Sequence, residues 1–404
     1  MGGIIVVADT HFGIKKGSIS MPGYFADFLR WIRELEKEKE KKVRILEGES
    51  PKNRTLTRPD KIIFLGDIIE LWDSEDEAVN ACVSTLIPTL AEIEAEKIYV
   101  LGNHDNILDK ALLPQEKEYY PLGKSNLKVV EDVYPSDSFL KSRNQNYLFV
   151  HGHQFDKHFT NTGKLYNILP WLRKVSNALT NYVPFLFILS MIFKFINLIG
   201  NKSIFLGNNQ LLYLLFALSI PKLYMSFGRR LWSHISGVRY NKEETRRNFK
   251  KWWKKFREKR KIKESVNVVY GHTHFLNYIP APEIDRTMYE FYQDMLKKRN
   301  ISIEMEHGTN LINISSWIKD IKNKEKDEKY KNVMVASFLY IDEEGFEFFG
   351  WEWYEKRVFH IPKEVIIIRR ETEKGIIPEA MAEKLAKIGW PQKLIDKWQR
   401  SVEL

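Results

Sequence analysis

One pattern, repeated along the chain, constrains its fold more than any other feature. A short apolar run rich in β-branched residues stops abruptly at Asp, Asn or His. Ile4–Ala8 stops at Asp9-Thr10-His11, Lys61–Leu65 at Gly66-Asp67, and Ile98–Leu101 at Gly102-Asn103-His104-Asp105. Tyr147–Val150 stops at His151-Gly152-His153, and Val266–Tyr270 at Gly271-His272-Thr273-His274. Asn310–Ile314 ends in the same manner at Ser315-Ser316-Trp317. Such runs read as strands buried on both faces. Polar loops gathered at strand carboxyl ends imply an α/β sandwich whose layers share one site.

The segments between these runs fill in the rest. Tyr24–Glu40 has helical spacing through Phe28, Leu29, Trp31, Ile32 and Leu35, and Glu77–Glu96 is a second helix. Lys37–Asp60, rich in charge and interrupted by Gly48, Pro51 and Pro59, predicts an exposed excursion. Val333–Tyr340 and Phe346–Trp353 flank an acidic turn at Asp342–Gly345 and predict a hairpin. Pro378–Val402 predicts a short helical tail, and nothing after about Arg357 forms a motif.

Composition narrows the class further. A chain of 404 residues with 44% hydrophobic and 29% charged residues is globular, long enough for two or three units, and neither collagen-like nor a bundle of membrane spans. Its single cysteine, Cys82, excludes an internal disulfide framework and a thiolate zinc cluster. The apolar run after Met1-Gly2-Gly3 is too short for a signal peptide, so a cytoplasmic address is expected. A net charge of +10 is compatible with an anionic partner without naming one.

Between Asn161 and Glu264 the composition changes twice. Val183–Gly200 is strongly apolar but broken by Lys194 and Asn197, and Leu211–Ile220 is shorter, so neither is expected to span a bilayer. Asn241–Lys263 then predicts a basic helix with Phe249, Trp252, Trp253 and Phe256 on an aromatic face. The expected division is a core in two parts, 1–160 and 265–356, an inserted helical subdomain at 161–264, and a tail at 357–404.

Six of the ten histidines, His11, His104, His151, His153, His272 and His274, lie at predicted strand ends beside Asp9, Asp67 and Asn103. Imidazole and oxygen donors without thiolate suit manganese, iron, zinc, cobalt or nickel. Two such ions about 3.5–4 Å apart can clamp an in-line displacement at phosphorus.

These blocks, D-x-H, G-D, G-N-H-D, H and G-H-x-H in that order, resemble the calcineurin-like metallophosphoesterases over residues 4–158 and 265–318. The resemblance implies a four-layer αββα sandwich and a hydrolase using two divalent ions, manganese foremost. It implies that Asp9, His11 and His274 hold one ion, that Asn103, His151 and His272 hold the other, and that Asp67 bridges them. A hydroxide shared by the ions would be the nucleophile, with His104 as hydrogen-bond or proton donor and Asp105 orienting its ring. On an extended backbone, D-x-H and H-x-H would place both side chains on one face.

The second block, Phe64–Trp72, looks like the branch containing the UDP-2,3-diacylglucosamine pyrophosphatases. His153 stands where that branch has Asp, and it can coordinate, contact phosphate or cap its loop. Asp156 and His158 are expected to be polar loop residues, and His234, His307 and His360 structural or surface residues. The expected substrate is a phosphoester or pyrophosphate, lipid- or nucleotide-linked and amphipathic. The stretch 183–260 would offer peripheral contact with the inner face of the membrane. The alternative for that stretch is a helical unit packed on itself or a dimer surface. Two other functions remain open. One is a nuclease whose basic helix neutralises backbone phosphates, and the other is a noncatalytic scaffold binding membrane or protein.

Overall fold

A computed structural model describes residues 2–13, 18–20, 22–48, 50–71, 76–105, 108, 119–155, 242–274, 276–280, 309–314, 316–320, 336–371 and 376–399. The chain divides into two compact units, Met1–His153 with Lys255–Leu404, and Gln154–Lys254.

The first unit is built on an eight-stranded sheet. Its order runs β18 (Arg357–Ile361), β17 (Gly345–Glu352), β16 (Ser337–Asp342), β1 (Gly3–Val7), β5 (Pro59–Leu65), β6 (Glu96–Val100), β8 (Ser125–Val130) and β7 (Tyr119–Leu122). The run β1, β5, β6, β8 is parallel, and antiparallel strands close both sides. The second sheet runs β10 (Leu140–Ser142), β11 (Gln145–Val150), β12 (Asn267–Tyr270), β14 (Asn310–Asn313) and β13 (Asn277–Ile279), with β11, β12 and β14 parallel and β9 (Val133–Tyr134) paired to β11, while β2 (Ser18–Ser20) pairs separately with β15 (Ile318–Asp320).

Strand alternation explains why the sequence runs are continuously apolar. Val6, Ile63, Leu65 and Val100 face Phe149, Val269 and Ile312 of the second sheet. Their neighbours Ile5, Val7, Ile62 and Phe64 face the other way, against Phe25, Phe28, Leu29, Ile32 and Leu35 of α1 (Pro22–Glu38). Cys82 and Leu86 of α2 (Asp76–Ala91) join the same cluster. Helices, sheet and sheet thus form successive layers of the expected α/β sandwich. Within it, the parallel strands deliver the loops after Val7, Leu65 and Val100 to one edge.

Two expectations need correction. Lys37–Asp60 is not an unstructured excursion but mostly a hairpin, β3 (Glu40–Glu47) paired with β4 (Ser50–Thr57) across a turn with Gly48 at φ +62°. Ile45, Leu46 and Leu56 are buried, and alternation leaves most of the charges on the outer face. The buried Arg54 is neutralised by Asp342 at 2.5 Å and Glu344 at 3.2 Å. The segment after Arg357 is likewise no appendage, because β18 is an edge strand of the main sheet. Beyond it, α4 (Lys363–Glu371), α5 (Glu379–Lys387) and α6 (Gln392–Gln399) follow, and Leu385, Trp390, Ile395 and Trp398 are buried in the inter-sheet core. The expected hairpin at Asp342–Gly345 is present as β16–β17.

The apolar runs of the expected insertion lie outside the described residues. Its basic helix is present as α3 (Lys242–Arg260). Of its aromatic face, Phe249 and Trp253 are buried and Trp252 and Phe256 half-buried, with Phe155 edge-on to Phe249 at 5.2 Å. Lys251, Lys254, Lys255 and Lys259 are exposed. Among the described residues, no helix is long and apolar enough to cross a membrane.

His360 joins the hairpin to the sheet: its Nδ1 accepts from Leu46 N–H and its Nε2 donates to Glu347, both at 3.1 Å. Burial alone would raise the Glu347 carboxyl, but Lys363 at 3.1 Å and His360 hold it down to about 2. A depressed carboxyl stabilises the fold above its unfolded pKa and loses that contribution as pH falls through the folded value. The melting temperature of the wild type should therefore drop as pH falls from about 4.5 toward 2. Glu347→Gln should melt lower at pH 7 and fall less across that window, as followed by circular dichroism.

Candidate metal centre

The strand-end loops are joined to one another by backbone hydrogen bonds. Asp9 N–H donates to Gly66 O at 3.1 Å, His11 N–H to Asp67 O at 2.8 Å and Phe12 N–H to Ile68 O at 2.8 Å. Glu70 N–H returns to Phe12 O at 2.9 Å. Within the second sheet, Gly271 N–H donates to His151 O at 2.9 Å, and across the sheets His272 N–H donates to the Asp9 carboxylate at 2.8 Å. Trp317 N–H donates to Asp9 O at 3.1 Å, so the loop after β14 also reaches the cluster.

The local backbone differs from expectation. Asp9, His11, Asp67, His272 and His274 have φ of +52°, +45°, +51°, +67° and +59°. D-x-H and H-x-H are therefore not extended. Left-handed backbone costs an L-residue roughly 1–2 kcal/mol, and here five such residues stand in one cluster. Each curls its side chain back over the strand end instead of alternating along it.

That curl brings the expected residues together in two groups. Ligand-capable atoms of Asp9, His11 and His274 lie within 4.8 Å of one another, as do those of Asp67, His151 and His272. His11 Nε2 is 3.0 Å from His274 Nε2. One Asp67 oxygen, Oδ2, is 3.1 Å from His151 Nε2 and 3.7 Å from His11 Nε2, and so stands between the groups. Asn103 Oδ1 is 3.1 Å from His151 Nε2.

Ring tautomers are set from behind. His151 Nδ1 donates to Leu65 O at 3.0 Å and His11 Nδ1 to Glu70 at 3.1 Å, which leaves Nε2 of each ring as the atom facing the cluster. Burial raises the Asp9 carboxyl to about 7, His151 opposes the rise and Asp67 reinforces it. Burial works against a charged His151 ring, yet Asp67 and Asp9 lift it to about 9. Burial and His11 together push His274 below the ordinary imidazole range.

This donor set fits a divalent cation. Two imidazole Nε2 atoms in contact, with buried carboxylates on either side, are reconciled by a shared positive charge. Three glycines form the surrounding cradle. A Cβ on Gly66 would strike the His151 ring, one on Gly102 would strike Asp67, and one on Gly271 would strike Asp9.

Two side-chain roles differ from expectation. Asp105 does not orient His104; it accepts from Ile68 N–H at 2.9 Å, Gly102 N–H at 2.6 Å and Tyr99 OH at 2.5 Å, and so fixes the loops themselves. Glu70 takes that place, with Oε2 2.8 Å from His104 Nδ1. Glu70 is not among the expected site residues. Its signal is a lone acid inside the apolar stretch Ile68–Leu71, three positions after Asp67. His153 lies beside the cluster, its ring 5.5 Å from His151 and 6.5 Å from His272. Asp156, His158, His234 and His307 lie outside the described residues, and His360 is buried far along the sheet in the structural role above.

Residues 3–191 match the family model of the calcineurin-like phosphoesterases. The match supports the metallophosphoesterase superfamily, whose members are generally phosphoester hydrolases that use divalent metal ions. Comparison with curated proteins gives no match.

Gly271 has no left-handed backbone, so alanine there acts through space alone: its Cβ would meet the Asp9 carboxylate and lie 2.8 Å from Ala8 Cβ. Gly271→Ala should cost about 1–3 kcal/mol in overpacking and abolish the rise in melting temperature expected of the wild type when a divalent ion such as manganese is added. Gly23→Ala, where nothing lies within 4 Å of the added Cβ, should keep that rise. Thermal shift with and without chelator measures both.

Proposed function

We propose that this chain is a two-metal phosphoester hydrolase. Asp9, His11 and His274 would hold one ion, Asn103, His151 and His272 the other, with Asp67 shared. The observation that carries this reading is the single Asp67 oxygen set between His151 Nε2 and His11 Nε2, at 3.1 and 3.7 Å. When bound, the two ions supply positive charge for a phosphoryl group and acidify water toward neutrality.

The chain's own groups do the rest. The backbone N–H of His104 donates to Asp67 Oδ1 at 2.8 Å, which fixes the residue's position. Its ring is partly open, 27% exposed, and Glu70 takes Nδ1, so Nε2 carries the proton toward a substrate oxygen. The Glu70 carboxylate, 1% exposed, balances the resulting imidazolium. Asp105 keeps the loops carrying Asp67 and Asn103 in register.

Manganese is the first ion to test. Within the reaction class we take the substrate to be an anionic phosphoester or pyrophosphate linked to a lipid or nucleotide, as in the diacylglucosamine pyrophosphatase branch. The four exposed lysines of α3 favour an anionic partner. The inward turn of Phe249 and Trp253 favours charge over ring insertion as the means of contact.

The test is turnover of chelator-stripped, manganese-reloaded protein. The panel holds an aryl phosphomonoester, an aryl phosphodiester, a nucleotide-diphosphate lipid analogue and single-stranded DNA, with and without micelles. Hydrolysis should require metal, and His104→Ala should lower kcat by about 10²–10⁴-fold while two ions still bind. Asp67→Asn should lose both turnover and the second ion. No turnover on any substrate by protein loaded with two ions would leave the scaffold reading. Cleavage of DNA alone would favour the nuclease.

A further inference from the structure

His272 and His274 belong to different ligand groups, one with Asp67 and His151, the other with Asp9 and His11. The single residue between them is Thr273. Whatever fixes Thr273 therefore fixes how far apart the two groups can sit.

Thr273 is held at both ends. Its N–H donates to Gly271 O at 2.8 Å, which closes a tight turn centred on the left-handed His272, just before the left-handed His274. Its hydroxyl is hydrogen-bonded to the side-chain amide of Asn313. Asn313 is fully buried at the end of β14, where it stands in register with Tyr270 of β12 and Asn277 of β13. The next residue, Ile314, donates its N–H to Tyr270 O at 2.9 Å, so the amide projects from a rigid strand end.

The amide is not there to satisfy itself. With Nδ2 directed at Thr273, the buried Asn313 Oδ1 has no hydrogen-bond partner among the described residues. With the amide turned over, Oδ1 accepts from the Thr273 hydroxyl, so the bond to Thr273 survives in either orientation. As placed, a buried acceptor stays unsatisfied, which is destabilising, and the hydrogen bond to Thr273 is what the strand end holds in exchange. By contrast Asn310, on the same strand at the end away from the cluster, bonds Asn267 Oδ1 at 2.6 Å.

We propose that Asn313 is a positioning residue that, through Thr273, sets the spacing of His272 and His274 and thereby couples the two metal positions. The inference rests on the two-metal reading above. Loss of the Asn313–Thr273 bond lets the turn relax toward ordinary backbone, moving one histidine relative to the other without removing either.

The test titrates manganese into chelator-stripped protein by calorimetry and records the low-temperature electron paramagnetic resonance of the loaded pair. Asn313→Ala and Thr273→Val should weaken the second ion by about 10–100-fold and reduce the spin-coupled signal. Thr273→Ser, which keeps the hydroxyl, should bind as wild type does. Asn310→Ala should lower the melting temperature yet leave both ions bound as in wild type. Two ions in wild type, with both binding constants unchanged in Thr273→Val and in Asn313→Ala, overturn this inference alone. Fewer than two ions in wild type overturn the two-metal reading and this inference with it.

Discussion

Two carboxylates, Asp9 and Asp67, are buried side by side at the ends of neighbouring parallel strands, 0% and 1% exposed. Much of the architecture follows from keeping them there. An isolated charge in such a place is destabilising by several kcal/mol, so the surrounding groups must be donors or cations. Asp9 receives His272 N–H and Asp67 receives His104 N–H, each from a loop belonging to another strand. His151, His104 and His11 overcome the burial that would raise Asp67 and hold it well below the carboxylate range. Asp9 lacks that much compensation and sits near neutrality. A bound cation would remove the imbalance, because it favours the ionised carboxyl and the neutral imidazole together.

The same constraint explains the backbone. To aim five side chains inward from strand ends, the chain uses left-handed residues at Asp9, His11, Asp67, His272 and His274. None of these is glycine, and each conformation is disfavoured in isolation. They persist because backbone hydrogen bonds join the loops and because glycines leave room at the three closest approaches, Gly66, Gly102 and Gly271. The strain is local, whereas the restraint comes from two sheets.

Much of the placement of the candidate site was legible in the sequence, since each strand run announces itself by β-branched residues and five of the six end at a residue of the cluster. Parallel pairing then brings those ends together without knowledge of any side-chain contact. What was not legible depends on partners distant in the chain. Arg54 reads as one charge in a polar excursion, yet Asp342, 288 residues away, makes it a buried strand residue. Trp390 and Trp398 read as part of a tail until β18 supplies the sheet edge beside which they pack. Handedness was also hidden, because spacing such as D-x-H is equally compatible with an extended strand and with a curled loop.

The exchange of roles between Glu70 and Asp105 shows why adjacency misleads at such a site. Asp105 follows His104 directly, but its oxygens are taken by two backbone N–H groups and the Tyr99 hydroxyl. A carboxylate already accepting three hydrogen bonds has little left to offer a ring. Glu70 arrives from another strand end, and its Oε2 meets His11 Nδ1 at 3.1 Å and His104 Nδ1 at 2.8 Å. One buried acid thus stands against both a ring of the candidate ligand cluster and the partly open ring of His104. The two rings, 4.8 Å apart and edge to face, are consequently coupled through a charge rather than through contact alone. Asp105 builds the loops, and Glu70 aligns what the loops present.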